Sequence, residues 1–420
     1  MKRALVLFDF YLRLKDNPAW TNAVKKYEVL PVYILDPELE EWLIPGASSR
    51  YFFEESIASL NDSLNGNLIV IKGDWDKNIE YISQKYNIDI LVHNKSPIKL
   101  FDNRYFNFEY KNNHINIEKY SIVDGYTSDD NILNNTGGIY KVFTPFYNKL
   151  KTLTEDYQEL SPCQVVRYVQ LQNEDKFCLS GGKKGERIAE KRWNEFKSRF
   201  LSSYDKDRDY PIKQATSNLS TSLHFGEISV ARMLHEARTL PNSEPFTRQL
   251  AWRSFAKNFY DNFPEADRLE WNPKYRNFSW GSNQAVLQSW KDGETGVPLI
   301  DAAMNELNQT GQMHNRLRML CSSFLVKQLG QDWRYGLEYF YEKLEDADRP
   351  NNAFGWQWAA GCGADAAPYY RIFNPNTQAK KFDPDNEYIN QWNRCTKLMG
   401  ESQLKALSKK ALERYKRYLV

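Results

Sequence analysis

Through the first 130 residues, apolar runs of strand length alternate with stretches in which apolar residues recur every three or four positions. RALVLFDF, VLPVYILD, NLIVIKG, IDILVHN and INIEKYSIVDG are the runs, and ASLNDSLN and NIEYISQKYN are helical stretches between them. Strands that are apolar on both faces and separated by helices predict a parallel sheet covered on both sides. The turn-rich DDNILNNTGG follows, and LSGGKKGERIAEKRWNEFKSRFL then opens a helix. From about residue 184 strand signals stop, and the period is helical in NSEPFTRQLAWRSFAKNFYDNF, GVPLIDAAMNELNQTG and MHNRLRMLCSSFLVKQLG. The pattern predicts an α/β domain over 1–130, a connector over 131–185 and an all-α domain over 186–420. The last helix is basic and amphipathic, with Leu404, Leu407, Leu412 and Tyr415 at helical spacing.

Several function classes drop out. MKRALVLFDF is a first strand and not a signal peptide, and no apolar run reaches transmembrane length. There is no GxGxxG and no phosphate-binding GxxxxGK[ST] loop. Cys163, Cys178, Cys321, Cys362 and Cys395 form no CxxC pair, so neither a zinc site nor a disulfide framework is suggested. A soluble, intracellular, monomeric protein with no membrane association is expected. The net charge of +2 hides an asymmetry: residues 371–420 hold eleven Lys/Arg against five Asp/Glu, a balance suited to nucleic acid or to a solvated helix face. The 12 Trp and 26 Tyr suit a core, or stacking on a flat cofactor or on bases.

Three segments carry candidate chemistry. Thr216, Ser217 and Ser220 lie in a turn before a helix, where hydroxyls and backbone N–H groups suit a phosphate; alone, this is an ordinary helix cap. In MHNRLRM, Asn315 and Met319 share one helix face, and His314 and Arg318 share the adjacent one. LEDADRPNNAFGWQW sets Asp346 and Asp348 ahead of Asn352, Trp356 and Trp358, and Asp346 can pair with Arg318 beside a charged ring.

TSNLSTSLHFGEIS, GETGVPLIDAAMNELNQTGQMHNRLRMLCSSFLVKQLGQDWRYGLEYF and NNAFGWQWAAGCGADAAPYYRIFNPNTQAKKFD resemble the signature blocks of the photolyase/cryptochrome family. LRLKDNPAW and YKVFTPFYNKL resemble its N-terminal and linker blocks, so the likeness runs from about residue 4 to 394. It implies a Rossmann-like N-terminal domain and a helical domain that binds FAD. The pyrophosphate would lie on the turn Thr216, Ser217, Asn218, Leu219 and Ser220, with Tyr204 nearby; Arg318 and Asp346 would pair beside the isoalloxazine, Asp348 would contact the same ring system, and Asn352 would face flavin N5. The implied reaction is light-driven repair of cyclobutane pyrimidine dimers in UV-damaged DNA by electron transfer from reduced FAD. The lesion leaves the duplex to reach the flavin, stacks on Trp252 and Trp358, and meets Asn315 and Met319, while Arg208, Arg316 and Arg371 grip phosphates. Trp356, Trp333 and Trp280 match the family's chain of tryptophans that reduces resting FAD, and Trp290 is left as core.

Asn315 and Met319 resemble the dimer-specific class I enzymes, whereas Gln249 stands where those enzymes carry Glu and matches the (6-4) photolyase and animal cryptochrome branches. Ser254 and Gln312 replace a Glu and a Trp of the usual blocks, with modest packing effects expected. An Arg after the first strand is missing, and Lys95 stands where pterin-binding members carry an acid, so a second, antenna chromophore is either different or absent. No long signalling tail follows NQWNRC. Dimer repair is therefore expected, with (6-4) repair or a non-repairing blue-light receptor as the alternatives.

Overall fold

The computed structural model describes residues 1–99, 101–104, 108, 115–121, 132–153, 157–160, 165–367 and 370–419. Each of the five apolar runs contains a strand: β1 Arg3–Phe8, β2 Glu28–Leu35, β3 Ile69–Lys72, β4 Ile90–Asn94 and β5 Asn116–Tyr120. They pair in parallel in the order β3-β2-β1-β4-β5, with Leu5 opposite Leu30 on one side and Leu91 on the other. β1 and β4 are buried almost throughout, which is why their sequences are apolar without alternation. Helices α1 (Pro18–Lys26), α2 (Pro37–Leu43), α3 (Ala47–Ser63) and α4 (Trp75–Tyr86) cover the sheet. The first two start at Asn17 and Asp36, whose side chains accept the amide N–H groups of their first turns, followed at once by a proline.

The expected connector carries a helix of its own, α5 (Phe143–Leu153). The helical part comprises α6 (Glu186–Arg199), α7 (Tyr204–Asp207), α8 (Ser220–His224), α9 (Val230–Arg238), α10 (Glu244–Asn262), α11 (Gln284–Lys291), α12 (Pro298–Thr310), α13 (Asn315–Ser323), α14 (Trp333–Lys343), α15 (Arg349–Ala360), α16 (Pro375–Phe382), α17 (Glu387–Trp392) and α18 (Glu401–Leu419). The period through MHNRLRMLCSSFLVKQLG predicts one α-helix, but α13 widens into a π turn at Phe324–Gln328. The π turn aims Lys327 Nζ at the carbonyl of Arg371 and Gln328 Nε2 at that of Phe373. On α18 the buried positions are Leu404 and Ala411, whereas Leu412 is 42% exposed. Counting 3.6 residues per turn from Leu404 selects 411 and not 412, so the larger side chain misled. Cys163 and the end of the fifth apolar run lie outside the described residues, and Cys178, Cys321, Cys362 and Cys395 are unpaired.

The two parts meet along a seam of hydrogen bonds to backbone carbonyls. Leu12 N–H donates to Phe225 O (3.0 Å), Arg13 Nη1 to Gly226 O (2.9 Å) and His224 Nε2 to Leu43 O (3.0 Å). Gly226, at φ 61°, allows this approach, because a Cβ there would sit 2.1 Å from Phe10 O. A second glycine makes room inside the helical part: a Cβ on Gly336 would lie 2.0 Å from the six-membered ring of Trp356. Trp356 is 2% exposed and packed against Phe340 and Trp290, so its ring cannot swing aside. Gly336→Ala is expected to cost about 2 kcal/mol or more through overpacking, read as a lower urea midpoint at unchanged slope.

Candidate active site

One cluster forms where α13, α14 and α15 converge. Arg318, one turn into α13, donates from Nη2 to both oxygens of Asp346 (2.8 and 3.0 Å) and from Nε to Met313 O (2.8 Å). Two residues on, Asp348 caps α15 by accepting from Asn351 N–H (3.0 Å), while its other oxygen meets Arg253 Nη2 (3.2 Å) and His224 Nδ1 (3.4 Å). Burial works against the Asp348 charge, but Arg253 and His224 outweigh it and hold the carboxyl well below the usual carboxylate range. Asn352 donates its Nδ2 to Leu337 O (2.9 Å). A carbonyl can only accept, so this bond fixes the amide orientation and leaves Oδ1, with the second Nδ2 hydrogen, for a ligand. One turn further, Trp356 is buried and its Nε1–H has no partner.

The turn that precedes α8 is held by Asn218 in the left-handed region (φ 50°) and by Thr216 Oγ1–H donating to Asn218 Oδ1 (3.1 Å). Leu219 is buried in the helical core, whereas Ser217 is half-buried and Ser220 exposed. Tyr204 is 7% exposed, and its ring packs edge-on against Phe196 and Phe246. Gln312 forms a polar link where only packing was expected, donating to Glu345 (3.1 Å), which also accepts from Thr221 (3.3 Å). Ser254 turns its hydroxyl back to Leu250 O (3.4 Å) within α10.

A second group of residues lies nearer the surface. Asn315 Nδ2 and Met319 Sδ are 3.8 Å apart on one face of α13, as their spacing requires. On α10, Gln249 Nε2 bonds weakly to Pro245 O (3.4 Å), and Trp252 stacks face to face on Phe143 of α5 at 3.8 Å and 6°. Trp358 donates to Asp365 O (3.1 Å) and lines a small cleft together with Lys327, Tyr370, Arg371 and Phe373. Arg371 is exposed and lies over the Phe373 ring. Arg208 and Arg316 share one acid, Asp209, so an incoming phosphate must displace that carboxylate.

His314 caps α13 by accepting Arg316 N–H at Nδ1 (3.2 Å), so Nε2 carries the proton and donates to Arg208 O (2.9 Å). Burial pushes its pKa down to about 4, and the same holds for His93 on β4, against an ordinary 6.5. Both are neutral when folded, whereas the unfolded chain takes up their protons as pH falls through 6.5. Their stabilisation is complete above that value and is lost between 6.5 and about 4. Urea unfolding at about pH 5 should show roughly 2 kcal/mol less stability per histidine than at about pH 7.5, a gap that His93→Gln narrows.

The three tryptophans differ in setting. Trp333 at the start of α14 is fully buried and Trp280 is half-buried, yet both indole N–H groups donate to the same Glu270 oxygen (3.2 and 2.9 Å). Trp290 is fully buried, bonded to Cys321 O (3.2 Å) and edge-on to Trp356 at 6.1 Å. Sequence reasoning missed Glu270, Asp209, Arg253 and Phe143. Only Arg253 and Phe143 carried any signal, lying within the AWRSF and YKVFTPFYNKL segments.

A family model described as DNA photolyase matches residues 4–164, and one described as the FAD binding domain of DNA photolyase matches 246–416. The deoxyribodipyrimidine photo-lyase of Agrobacterium fabrum is 32% identical, over 92% of this chain and 86% of its own length. That of Escherichia coli is 33% identical over 93% and 89%. The chain belongs to the DNA photolyase family. Among solved structures, a bacterial class III photolyase from Agrobacterium tumefaciens superposes with a TM-score of 0.90 at 29% identity, covering all of this photolyase-family chain and 98% of its own. The helical part is accordingly the family's FAD-binding domain. Its residues fit that group: a cation–carboxylate pair, an amide oxygen one turn into α15 and an unpartnered buried indole N–H lie together, with a hydroxyl-bearing turn at α8. No described helix is long and apolar enough to cross a membrane.

Proposed function

We infer that this protein repairs cyclobutane pyrimidine dimers in UV-damaged DNA under light. Bound, reduced FAD supplies the electron that opens the cyclobutane ring. Arg318 and Asp346 would hold the isoalloxazine, with Asn352 Oδ1 toward its N5 edge, and the Thr216–Ser220 turn would take the pyrophosphate. Arg208, Arg316 and Arg371 would seat the strand by its phosphates, so binding weakens with salt, while Trp252 and Trp358 wall the extruded lesion.

The observation that carries this reading is the Asn315–Met319 contact beside a His314 that burial holds neutral and whose two ring nitrogens are both already bonded. An amide and a thioether suit the carbonyl edge and apolar ring of a dimer, and His314, the histidine of that segment, is not free for acid chemistry on the lesion. Gln249 favours (6-4) repair as the second reading. With Nε2 turned to Pro245 O, however, the residue presents an acceptor oxygen, as a glutamate would. A protonated Glu at 249 can donate a proton toward the dimer's radical anion, which a Gln cannot, so Gln249→Glu is expected to raise the repair quantum yield on dimers about two- to tenfold. The test of function is photoreduced protein under near-UV light with oligonucleotides bearing either lesion. Restoration of the dimer-containing strand alone supports the reading, restoration of the (6-4) strand alone gives the second, and no repair of either leaves a light receptor.

A further inference from the structure

We propose that Glu270 is a built-in proton acceptor and charge sink for the outer end of the tryptophan chain, making Trp280 the place where the oxidising equivalent comes to rest. This rests on the reading of Trp356, Trp333 and Trp280 as an electron relay. Glu270 is 2% exposed, and its Oε1 takes the N–H of Trp280 at 2.9 Å and that of Trp333 at 3.2 Å. The backbone holds these groups in place. Gly281 N–H donates to Gly330 O (2.9 Å) and Asp332 N–H to Gly281 O (2.8 Å), pinning the Trp280 segment against the start of α14. Gly281 is required for this approach, because a Cβ there would lie 2.6 Å from Gly330 O.

The local charges separate the two indoles. Arg334 donates from Nη2 to Glu270 Oε1 (2.7 Å), from Nη1 to both oxygens of Asp332 (3.0 Å each) and from Nε to Arg268 O (2.6 Å). Glu270 and Asp332 set two carboxylates against the Arg334 guanidinium, and the Glu270 carboxylate, bonded to both indole N–H groups, favours an oxidised, positively charged ring there. The same guanidinium lies over the Trp333 ring at 4.8 Å and disfavours positive charge on that indole, whereas among the described residues no cation is stacked on Trp280 itself, Arg414 lying over the neighbouring Phe278 ring at 5.7 Å. The hole is therefore driven outward from Trp333 to Trp280.

In the step proposed, one electron leaves Trp280 inward along the relay to the flavin. The Trp280 N–H bond breaks, its proton forms an O–H bond on Glu270 Oε1, and a neutral indolyl radical remains. An external one-electron donor of the thiolate class then reduces that radical, and Glu270 returns the proton. Proton loss fixes the hole at Trp280 and slows return of the electron.

Flash photolysis with detection of the tryptophan radicals tests this on flavin-loaded wild type, Glu270→Gln, Glu270→Asp and Trp280→Phe. In wild type the radical cation should lose its proton at a rate independent of buffer concentration. Glu270→Gln keeps an acceptor for both indoles but takes no proton, so deprotonation should slow about tenfold or more and become buffer-dependent. Glu270→Asp should restore buffer-independent loss, and carries the test if the Gln variant does not fold. Deprotonation in Glu270→Gln within twofold of wild type, or in Glu270→Asp as buffer-dependent as in the Gln protein, overturns the proposal. A long-lived tryptophan radical that survives Trp280→Phe instead overturns the relay reading beneath it.

Discussion

Asp346→Asn should purify without bound flavin. Arg318 Nη2 reaches both Asp346 oxygens, and the Asp346 side chain is only 10% exposed, so the pair lies largely out of water. Removing its carboxylate leaves a half-buried guanidinium without its directly bonded counter-charge, which costs more than a surface pair because little solvent can take over. Arg318 Nε stays bonded to Met313 O, so the arm keeps its position while its charge is no longer balanced. A loss of about 3 kcal/mol in cofactor binding corresponds to roughly a 100-fold higher Kd for FAD. Absorbance of the purified protein and titration of apoprotein with FAD measure it. Arg318→Lys retains the charge without the fork and should lie between the two. Full flavin content in Asp346→Asn would remove the pair from the cofactor site.

The second large effect divides two indoles that stand two residues apart. Trp356→Phe should slow photoreduction of oxidised enzyme by about tenfold or more, while chemically reduced enzyme repairs at the wild-type rate. Trp358→Ala should leave photoreduction intact and weaken lesion binding by about 1–3 kcal/mol, the worth of one base–aromatic stack. The structure gives these residues different surroundings: Trp356 is enclosed by Phe340, Trp290 and Gly336, whereas Trp358 lines the cleft with Arg371. Photoreduction rates and binding isotherms on the two variants decide it, and a shared defect would mean that both are packing residues.

The sheet was legible because its central strands β1, β2 and β4 are apolar on both faces, a pattern that a parallel sheet requires and a surface strand does not show. The helix α5 was legible in principle, since its buried residues Phe143, Phe146, Tyr147 and Leu150 fall at i, i+3, i+4 and i+7 and Pro145 lies in its first turn, but the turn-rich DDNILNNTGG ahead of it made the whole segment read as a connector. The π turn after α13 was not legible at all, since the same residues satisfy an unbroken helical period. Within the site, Asn315 and Met319 followed from i,i+4 spacing alone. Arg318 and Asp346 are 28 residues apart and needed the family resemblance to be joined. Glu270 and Asp209 carried no local signal, because what selects them is the approach of distant segments, and one sequence records no such approach.

His224 reaches Leu43 O of the α/β part with one ring nitrogen and Asp348, the cap of the helix that carries Asn352 and Trp356, with the other. The two parts of the molecule therefore share a single imidazole as a rivet. A lineage that gave up its second chromophore would still have to keep the α/β part, since discarding it would strip a support from the cofactor wall. On this view its retention through evolution needs no light-gathering duty, and truncation to the helical part alone would yield a protein that loses flavin before it loses helix.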